Sequence, residues 1–95
     1  MTFSERVWAE TKKIPKGRVA TYSDLAERLG TRAFRAVGNA LHRNPYAPIV
    51  PCHRVVGSNG SLTGFAGGLS KKRQLLESEG VVVVRGRVDL AKFRW

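Results

Sequence analysis

Cysteine is almost missing from this chain, because Cys52 is the only one among its 95 residues. A single thiol excludes an intramolecular disulfide, so Cys52 is either a small buried apolar side chain or a reactive group. His53 follows it directly, but no second Cys or His stands at the spacing of zinc ligands. The sequence therefore predicts neither a metal nor a cofactor.

Long hydrophobic runs are also missing. No apolar stretch approaches the roughly 20 residues that span a bilayer, and the N-terminus lacks the apolar segment of a signal peptide. These absences predict a soluble protein without a membrane partner, cytoplasmic and nucleoid-associated in a prokaryote or nuclear in a eukaryote. A chain of this length can bury only one hydrophobic core, so residues 1–95 are expected to form a single domain.

Acidic side chains are few. Seven Asp and Glu residues stand against 17 Lys and Arg, which gives a net charge of +10 and a sequence pI near 10.9. The basic residues are scattered among apolar periodicities instead of being massed in a tail. A folded domain this basic typically binds polyphosphate, so a nucleic acid is favoured over the alternative of a merely solvated basic surface.

The first half of the sequence predicts three helices. Thr2 and Glu5 have the spacing of a capping box at the start of a helix over 3–13. Ser23 is the expected N-cap of a second helix, which Gly30 would close. These two elements lead directly into a third helix.

Thr31 is expected to cap this third helix, predicted over 32–43. On a helical wheel one side is apolar, with Ala33, Ala36, Val37, Ala40 and Leu41. The other side is polar, with Arg32, Arg35, Asn39, His42 and Arg43. Two short helices joined by a tight turn, the second with a basic face, are typical of a helix-turn-helix. A surface helix with a solvated charged stripe would give the same pattern.

The second half of the sequence is of mixed type. Residues 49–50 and 55–56 are predicted to be buried extended pieces, and 57–60 a turn. A last helix is expected over 69–79, followed by a hairpin within 81–88. The fold class is therefore predicted as α+β, mostly helical, around a helix-turn-helix of winged-helix-like type.

Cys52 is the candidate nucleophile. A thiol beside an imidazole and the guanidinium of Arg54 lies in surroundings that favour thiolate, the nucleophilic form. Consecutive residues of an extended chain point to opposite faces, so His53 can reach the sulfur only if the backbone turns or a water bridges. An inert core thiol remains the alternative.

Several separated segments nevertheless resemble one known family in the same order. The segments are Thr21-Tyr22-Ser23-Asp24-Leu25-Ala26, Arg35-Ala36-Val37-Gly38, Asn44-Pro45, Pro51-Cys52-His53-Arg54-Val55-Val56 and Gly64-Phe65-Ala66-Gly67-Gly68-Leu69. Together they closely resemble the O6-alkylguanine-DNA alkyltransferases, and the resemblance runs from about residue 3 to about residue 84. It implies a helix-turn-helix domain with an active-site loop.

The resemblance also implies a function and catalytic roles. The function is DNA repair by a single, irreversible transfer of the alkyl group from O6-alkylguanine, and also from O4-alkylthymine, to Cys52. His53, held by Glu79, would remove the thiol proton through a water. Asn44 would be a hinge between the recognition helix and the active-site loop. Tyr22 would press on the 3′ phosphate of the target nucleotide and protonate the guanine.

For DNA recognition, the resemblance implies a monomer that binds double-stranded DNA in the minor groove. Arg35 would be the finger that replaces the flipped base. The other predicted DNA contacts are Tyr22, Arg32, Ala33, Asn39 and Arg43. Phe65 would pack on the guanine, the backbone N–H of Ala66 would bind O6, and Lys72 would lie near the pocket mouth, with Val55 and Leu62 as further pocket residues.

The sequence departs from the family in two respects. The N-terminal domain of larger members is expected to be absent, and the short length and the ending over 88–95 look more like the alkyltransferase-like proteins. Those proteins recognise the same lesions and pass them to excision-repair proteins, with Trp or Ala in place of the reactive Cys. Retention of Cys52 with His53 and Glu79 favours transfer. Ala47 stands where proline is commonest, which changes the expected pocket rim.

Two further classes of function remain open. A helix-turn-helix transcription factor would need no thiol and would prefer one DNA sequence. A cysteine hydrolase built on Cys52, His53 and Glu79 would turn over its substrate repeatedly.

Overall fold

The computed structural model describes residues 1–46, 49–65 and 68–95. Its helices are α1 (Phe3–Thr11), α2 (Tyr22–Arg28), α3 (Phe34–His42), α4 (Leu69–Ser78) and α5 (Leu90–Phe93), with a 3-10 turn over Cys52–Arg54. Its strands are β1 (Ala20–Thr21), β2 (Val55–Val56), β3 (Val83–Val84) and β4 (Arg87–Val88). Strands β1 and β2 pair in parallel, and β3 and β4 form an antiparallel hairpin. The predicted α+β, mostly helical fold is confirmed.

The N-terminal helices are set by capping boxes. The predicted box of Thr2 and Glu5 is present, but α1 ends two residues before the expected boundary. Ser23 as the cap of α2 is wrong, because Thr21 takes that position. The Thr21 hydroxyl accepts from the Asp24 N–H at 3.0 Å, and the Asp24 carboxylate accepts from the Thr21 N–H at 3.0 Å. Thr21 is also the end of β1, so the capping box fixes α2 directly onto the strand.

Helix α3 begins later than predicted. Thr31 lies outside it and accepts from the Ala33 N–H at 3.1 Å, while Ala33 occupies the N-cap without a side-chain hydrogen bond. The buried stripe of α3 is Val37, Ala40 and Leu41. The expectation that Ala33 and Ala36 share this stripe is wrong, since both are exposed. Ala33 precedes the helix, and Ala36 is rotated by about 100° from Val37.

Two apolar clusters stabilise the domain. The first packs α1, α2 and α3 against the parallel strands, and its buried members are Val7, Ile14, Ala20, Leu25, Ala26, Val37, Ala40, Leu41 and Val55. The second packs α4 against the hairpin, with Val19, Val56, Leu76, Val81, Val83 and Val88. Because β2 contributes Val55 to the first cluster and Val56 to the second, the short parallel pair connects the helix-turn-helix to the C-terminal half.

The C-terminal half contains the predicted turn, helix and hairpin. Gly60 closes the 57–60 turn at φ +82°, where a Cβ would lie 2.1 Å from the carbonyl oxygen of Val88, so only glycine fits. The prediction that Ile49 is buried is wrong, because its side chain is 69% exposed, whereas Val50 is buried. Helix α5 was not predicted, since four residues are too few for a periodic signal. Within the described ranges, no helix combines the length and apolarity that crossing a membrane requires.

Candidate functional site

Cys52 begins the 3-10 turn that follows α3 and its connecting loop. Its backbone N–H donates to the Val50 carbonyl at 2.9 Å, and its side chain is half-buried. The backbone thus turns at Cys52, which is one of the two conditions under which His53 could reach the sulfur. Among the hydrogen bonds of the described residues, none joins the Cys52 sulfur to His53 directly. A relay through a water therefore stays a prediction.

His53 and Glu79, which are 26 positions apart, are in contact. His53 Nε2 lies 3.1 Å from Glu79 Oε1, and the imidazole is only 3% exposed. Because an ionised carboxylate only accepts hydrogen bonds, a neutral His53 carries its proton on Nε2. Nδ1 is then the basic nitrogen of this ring.

Arg54 differs from expectation. From the sequence, the Arg54 guanidinium was expected to lie beside the Cys52 thiol. In the structure it binds Glu79 instead, through Nε at 2.9 Å and Nη2 at 2.5 Å. Its Nη1 donates to the Ile14 carbonyl at 2.8 Å. The bidentate pair fixes the Glu79 carboxylate, which in turn orients His53. Arg54 is thus a positioning element that sequence reasoning missed, because a 3-10 turn directs it away from its neighbour Cys52.

The charge states of this pair suit proton acceptance. Burial lowers the pKa of His53 below its ordinary value, and the neighbouring Glu79 only partly offsets this effect. Burial alone would raise the pKa of Glu79, but hydrogen bonds from Arg54 and His53 outweigh it and lower that pKa. At neutral pH the site therefore contains an uncharged imidazole beside an ionised carboxylate.

A small cavity of about 80 Å³ lies above the thiol. Its lining residues are Tyr22, Gly38, Leu41, His42, Asn44, Cys52, Gly64 and Phe65. The structure thus brings together Tyr22, Asn44 and Phe65 around Cys52. Pockets for small molecules usually measure roughly 300 Å³ or more, so a purine would require the rim to widen. A larger depression of about 400 Å³ lies beside the β3–β4 hairpin and α5, but neither a cysteine nor a histidine is among its lining residues.

Asn44 connects α3 to the thiol segment. Its Nδ2 donates to the Val50 carbonyl at 2.9 Å, and its Oδ1 accepts from the Tyr46 N–H at 2.9 Å. The same Val50 carbonyl accepts from the Cys52 N–H. Asn44 and Cys52 therefore share one acceptor, which is the geometry that a hinge residue between helix and thiol requires.

Thr63 is a residue that sequence reasoning missed. Its hydroxyl lies 2.8 Å from the Tyr22 hydroxyl, and its carbonyl accepts from Lys72 Nζ at 3.0 Å. Nothing in the sequence pattern marked it, because the contact joins positions 41 residues apart.

Lys72 was predicted to lie near the pocket mouth, but the structure buries it. It is 1% exposed, because it lies one helical turn before Leu76 on the buried face of α4. Burial lowers its pKa to about 8, although the charge of Cys52 acts to raise it.

Three other predicted pocket residues have different outcomes. Val55 is buried in the first apolar cluster, and Leu62 packs against the second, so neither lines the cavity over Cys52. Val55 is buried because it pairs with Ala20 in the parallel strand pair, which places it in the first apolar cluster. Ala66, like the rim position Ala47, lies outside the described residues. The described residues contain no group of three or more His, Cys, Asp or Glu side chains that could hold a metal ion.

The outer face of α3 and its N-terminal approach carry the predicted DNA contacts. Arg32, Ala33, Arg35, Asn39 and Arg43 are all exposed. A shallow depression of about 390 Å³ opens on this face, lined by Tyr22, Phe34, Arg35, Gly38 and Asn39. Tyr22 and Gly38 also line the cavity over the thiol, so the two hollows are neighbours.

Comparison with known proteins identifies the family. The family model described as 6-O-methylguanine DNA methyltransferase, DNA binding domain, matches residues 2–81. The chain belongs to this family. The methylated-DNA--protein-cysteine methyltransferase of Methanosarcina acetivorans is 53% identical over 79 residues, covering 82% of this chain and 51% of that protein. The chain thus spans about half the length of the curated relatives it matches.

Solved structures confirm the fold. Mycobacterium tuberculosis OGT in complex with DNA superposes with a TM-score of 0.80 at 49% identity, covering 83% of this chain and 50% of that one. S. pombe Atl1, in complex with damaged DNA containing O6-carboxymethylguanine, gives a TM-score of 0.88 at 29% identity. That match covers 98% of this chain and 94% of Atl1.

Proposed function

We propose that this protein repairs DNA by transferring the alkyl group of O6-alkylguanine to Cys52. One observation carries the proposal: the only thiol of the chain is half-exposed at a cavity that Tyr22, Asn44 and Phe65 also line. Relatives named for methyl transfer from DNA to a protein cysteine match most of this chain at about half identity. The thiol is therefore the acceptor.

The chemistry uses groups that the site contains. The thiol proton passes through a water to Nδ1 of His53, and the resulting imidazolium is stabilised by Glu79 at 3.1 Å. The sulfur attacks the alkyl carbon, so that an S–C bond forms while the C–O6 bond breaks. The electron pair stays on the guanine, which takes a proton from the Tyr22 hydroxyl. The thioether does not revert, so each molecule reacts once and needs no cofactor.

Recognition requires the lesion to leave the duplex, because Cys52 lies at a cavity and cannot reach a stacked base. The outer face of α3 enters the minor groove, and Arg35 occupies the vacated position in the stack. The degenerate pattern of that groove suits a protein that searches for damage on any sequence. The protein acts as a monomer on double-stranded DNA.

Lesion recognition without transfer is the second candidate. The observation that favours it is the superposition on Atl1, which gives a TM-score of 0.88, against 0.80 for OGT. A protein of this kind would hold O6-alkylguanine for excision-repair proteins and leave its thiol unmodified.

Substitution of the thiol separates the two candidates. Cys52→Ser should abolish release of label from DNA that carries radioactive O6-methylguanine, while leaving DNA affinity nearly unchanged because the basic face is intact. If wild type binds the methylated duplex but releases no label, the second candidate replaces the first. If Cys52→Ser still removes methyl groups, the thiol mechanism is wrong.

A further inference from the structure

Phe34 is a large apolar side chain on a face otherwise rich in arginine. It is the first residue of α3 and is 48% exposed, between the exposed Arg32 and Arg35. Single exposed apolar residues need no explanation on a protein surface. Phe34 differs from such a case because it forms a wall of the 390 Å³ depression, together with a second aromatic ring, Tyr22.

The position of this depression suggests what covers it. Tyr22 and Gly38 belong both to the depression and to the cavity over Cys52, so an occupant of one hollow borders the other. Gly38 places no side chain between the two hollows, and a Cβ added there would lie 4.0 Å from Cε1 of the Tyr22 ring. A ligand that lies over Phe34 and sends one group past Tyr22 would reach the thiol.

Charge complementarity selects DNA as this ligand. Phe34 lies in the chain between Arg32 and Arg35, whose side chains are both exposed, and the whole chain has a net charge of +10. A polyanion with an apolar interior satisfies both the charges and the ring. Base pairs supply that interior, and aromatic wedges at minor-groove contacts enter between adjacent base steps.

We propose that Phe34 is an apolar wedge that enters the base step next to the nucleotide replaced by Arg35. The proposal rests on the DNA-binding function proposed above. A wedge at this place unstacks one side of the target base and bends the duplex, and both effects lower the cost of extrusion. Arg35 then fills the gap that Phe34 has opened.

Affinity and bending measurements test the wedge. Wild type, Phe34→Ala and Phe34→Leu are titrated at several salt concentrations against an undamaged duplex labelled at both ends for energy transfer. Val84→Ala is the matched control, because Val84 is a 62% exposed apolar residue on the hairpin. Circular dichroism and thermal melting verify that each variant is folded.

The wedge predicts a specific combination of results. Phe34→Ala should bind about tenfold to a hundredfold more weakly, the range for loss of aromatic stacking on a base, and should bend the duplex less. Its slope of log affinity against log salt should equal that of wild type, because no charge is removed. Phe34→Leu should recover part of the affinity and of the bend, and Val84→Ala should match wild type.

Other outcomes overturn one proposal or the other. If Phe34→Ala binds and bends DNA like Val84→Ala, Phe34 is not a wedge. Weaker binding with an unchanged bend also overturns insertion, because the ring would then only rest on the groove surface. If wild type itself fails to bind any duplex, the proposed function fails, and the Phe34 variants would not be needed to show it.

Discussion

Two regions of this molecule are built on opposite principles. The thiol network, made of His53, Arg54, Lys72 and Glu79, is largely buried, and each of its members has a defined hydrogen-bond partner. The region that we propose as the DNA face is exposed, and its residues are Arg32, Phe34, Arg35, Asn39 and Arg43. Its guanidinium groups make one hydrogen bond among the described contacts, a 3.4 Å contact of Arg43 with the Asn39 carbonyl.

The difference matches the two tasks that we propose for these regions. Groups that move a proton must hold fixed positions and protonation states before the substrate arrives, so they are buried and mutually bonded. Groups that bind DNA must meet their partners on the nucleic acid, so bonds within the protein would compete with binding. Substitutions in the thiol network should therefore alter stability together with activity, whereas those on the DNA face should alter only events on DNA.

Glu79→Gln should give the largest effect on stability. It removes the charge that Arg54 and His53 share at contacts of 2.5–3.1 Å, and leaves an unpaired guanidinium that is only 15% exposed. Breaking such a pair costs about 3 kcal/mol of the free energy of unfolding. Urea denaturation measures this cost.

The matched control for this substitution is Glu77→Gln. Glu77 is 44% exposed and pairs with Arg73 along the surface of α4 at 3.3 Å. An exposed pair of this kind contributes about 0.5 kcal/mol or less. Equal losses for both variants would contradict the distinction drawn between the buried network and the surface.

Lys72→Met should change how stability depends on pH. The pKa of Lys72 is about 8 in the folded protein, against an ordinary 10.5. Between these values the unfolded chain binds a proton that the folded protein does not, so the stability contributed by this group rises with pH. Over the whole interval, the contribution of Lys72 to the free energy of unfolding rises by about 3 kcal/mol.

Denaturation of wild type and Lys72→Met at a series of pH values measures this contribution. The wild-type free energy of unfolding should increase relative to that of the variant between pH 8 and pH 10.5, the interval bounded by the folded and ordinary pKa values. If the free energies of unfolding of the two proteins run parallel over this interval, burial does not lower the pKa of Lys72.

Arg35→Ala should have a smaller effect, confined to DNA. Reaction with a duplex that contains O6-methylguanine should slow by about tenfold, or 1.4 kcal/mol, because nothing replaces the extruded base. Reaction with free O6-benzylguanine and the free energy of unfolding should stay at wild-type values, since Arg35 is exposed. Equal slowing on both substrates would contradict the finger role and the separation of the two regions.

The sequence predicted the DNA face better than the thiol network. Helical periodicity identifies which side of α3 is exposed, because Val37, Ala40 and Leu41 mark the buried stripe. The beginning of α3 was misplaced because Thr31 is a good cap in isolation, yet here it bonds outside the helix. The exposure of Phe34 was not predicted, because Phe34 lies seven residues before the buried Leu41 and helical periodicity places the two on the same side.

Contacts between distant positions explain what the sequence did not predict at the thiol. Arg54 to Ile14 and Tyr22 to Thr63 join residues about 40 positions apart, and no local pattern encodes them. Lys72 was expected near the pocket mouth through resemblance to the family, but the helical register of α4 buries it. The pairing of His53 with Glu79 was predicted only through resemblance to the family.

The proposed repair reaction depends on alkylation of Cys52. Mass spectrometry of the intact protein and of its Cys52 peptide, after mixing with excess duplex that contains O6-methylguanine, detects this alkylation. The protein should gain the mass of one methyl group, located on Cys52, and the gain should stop at one per molecule. A protein that binds the methylated duplex but keeps its original mass would show that Cys52 is not the acceptor.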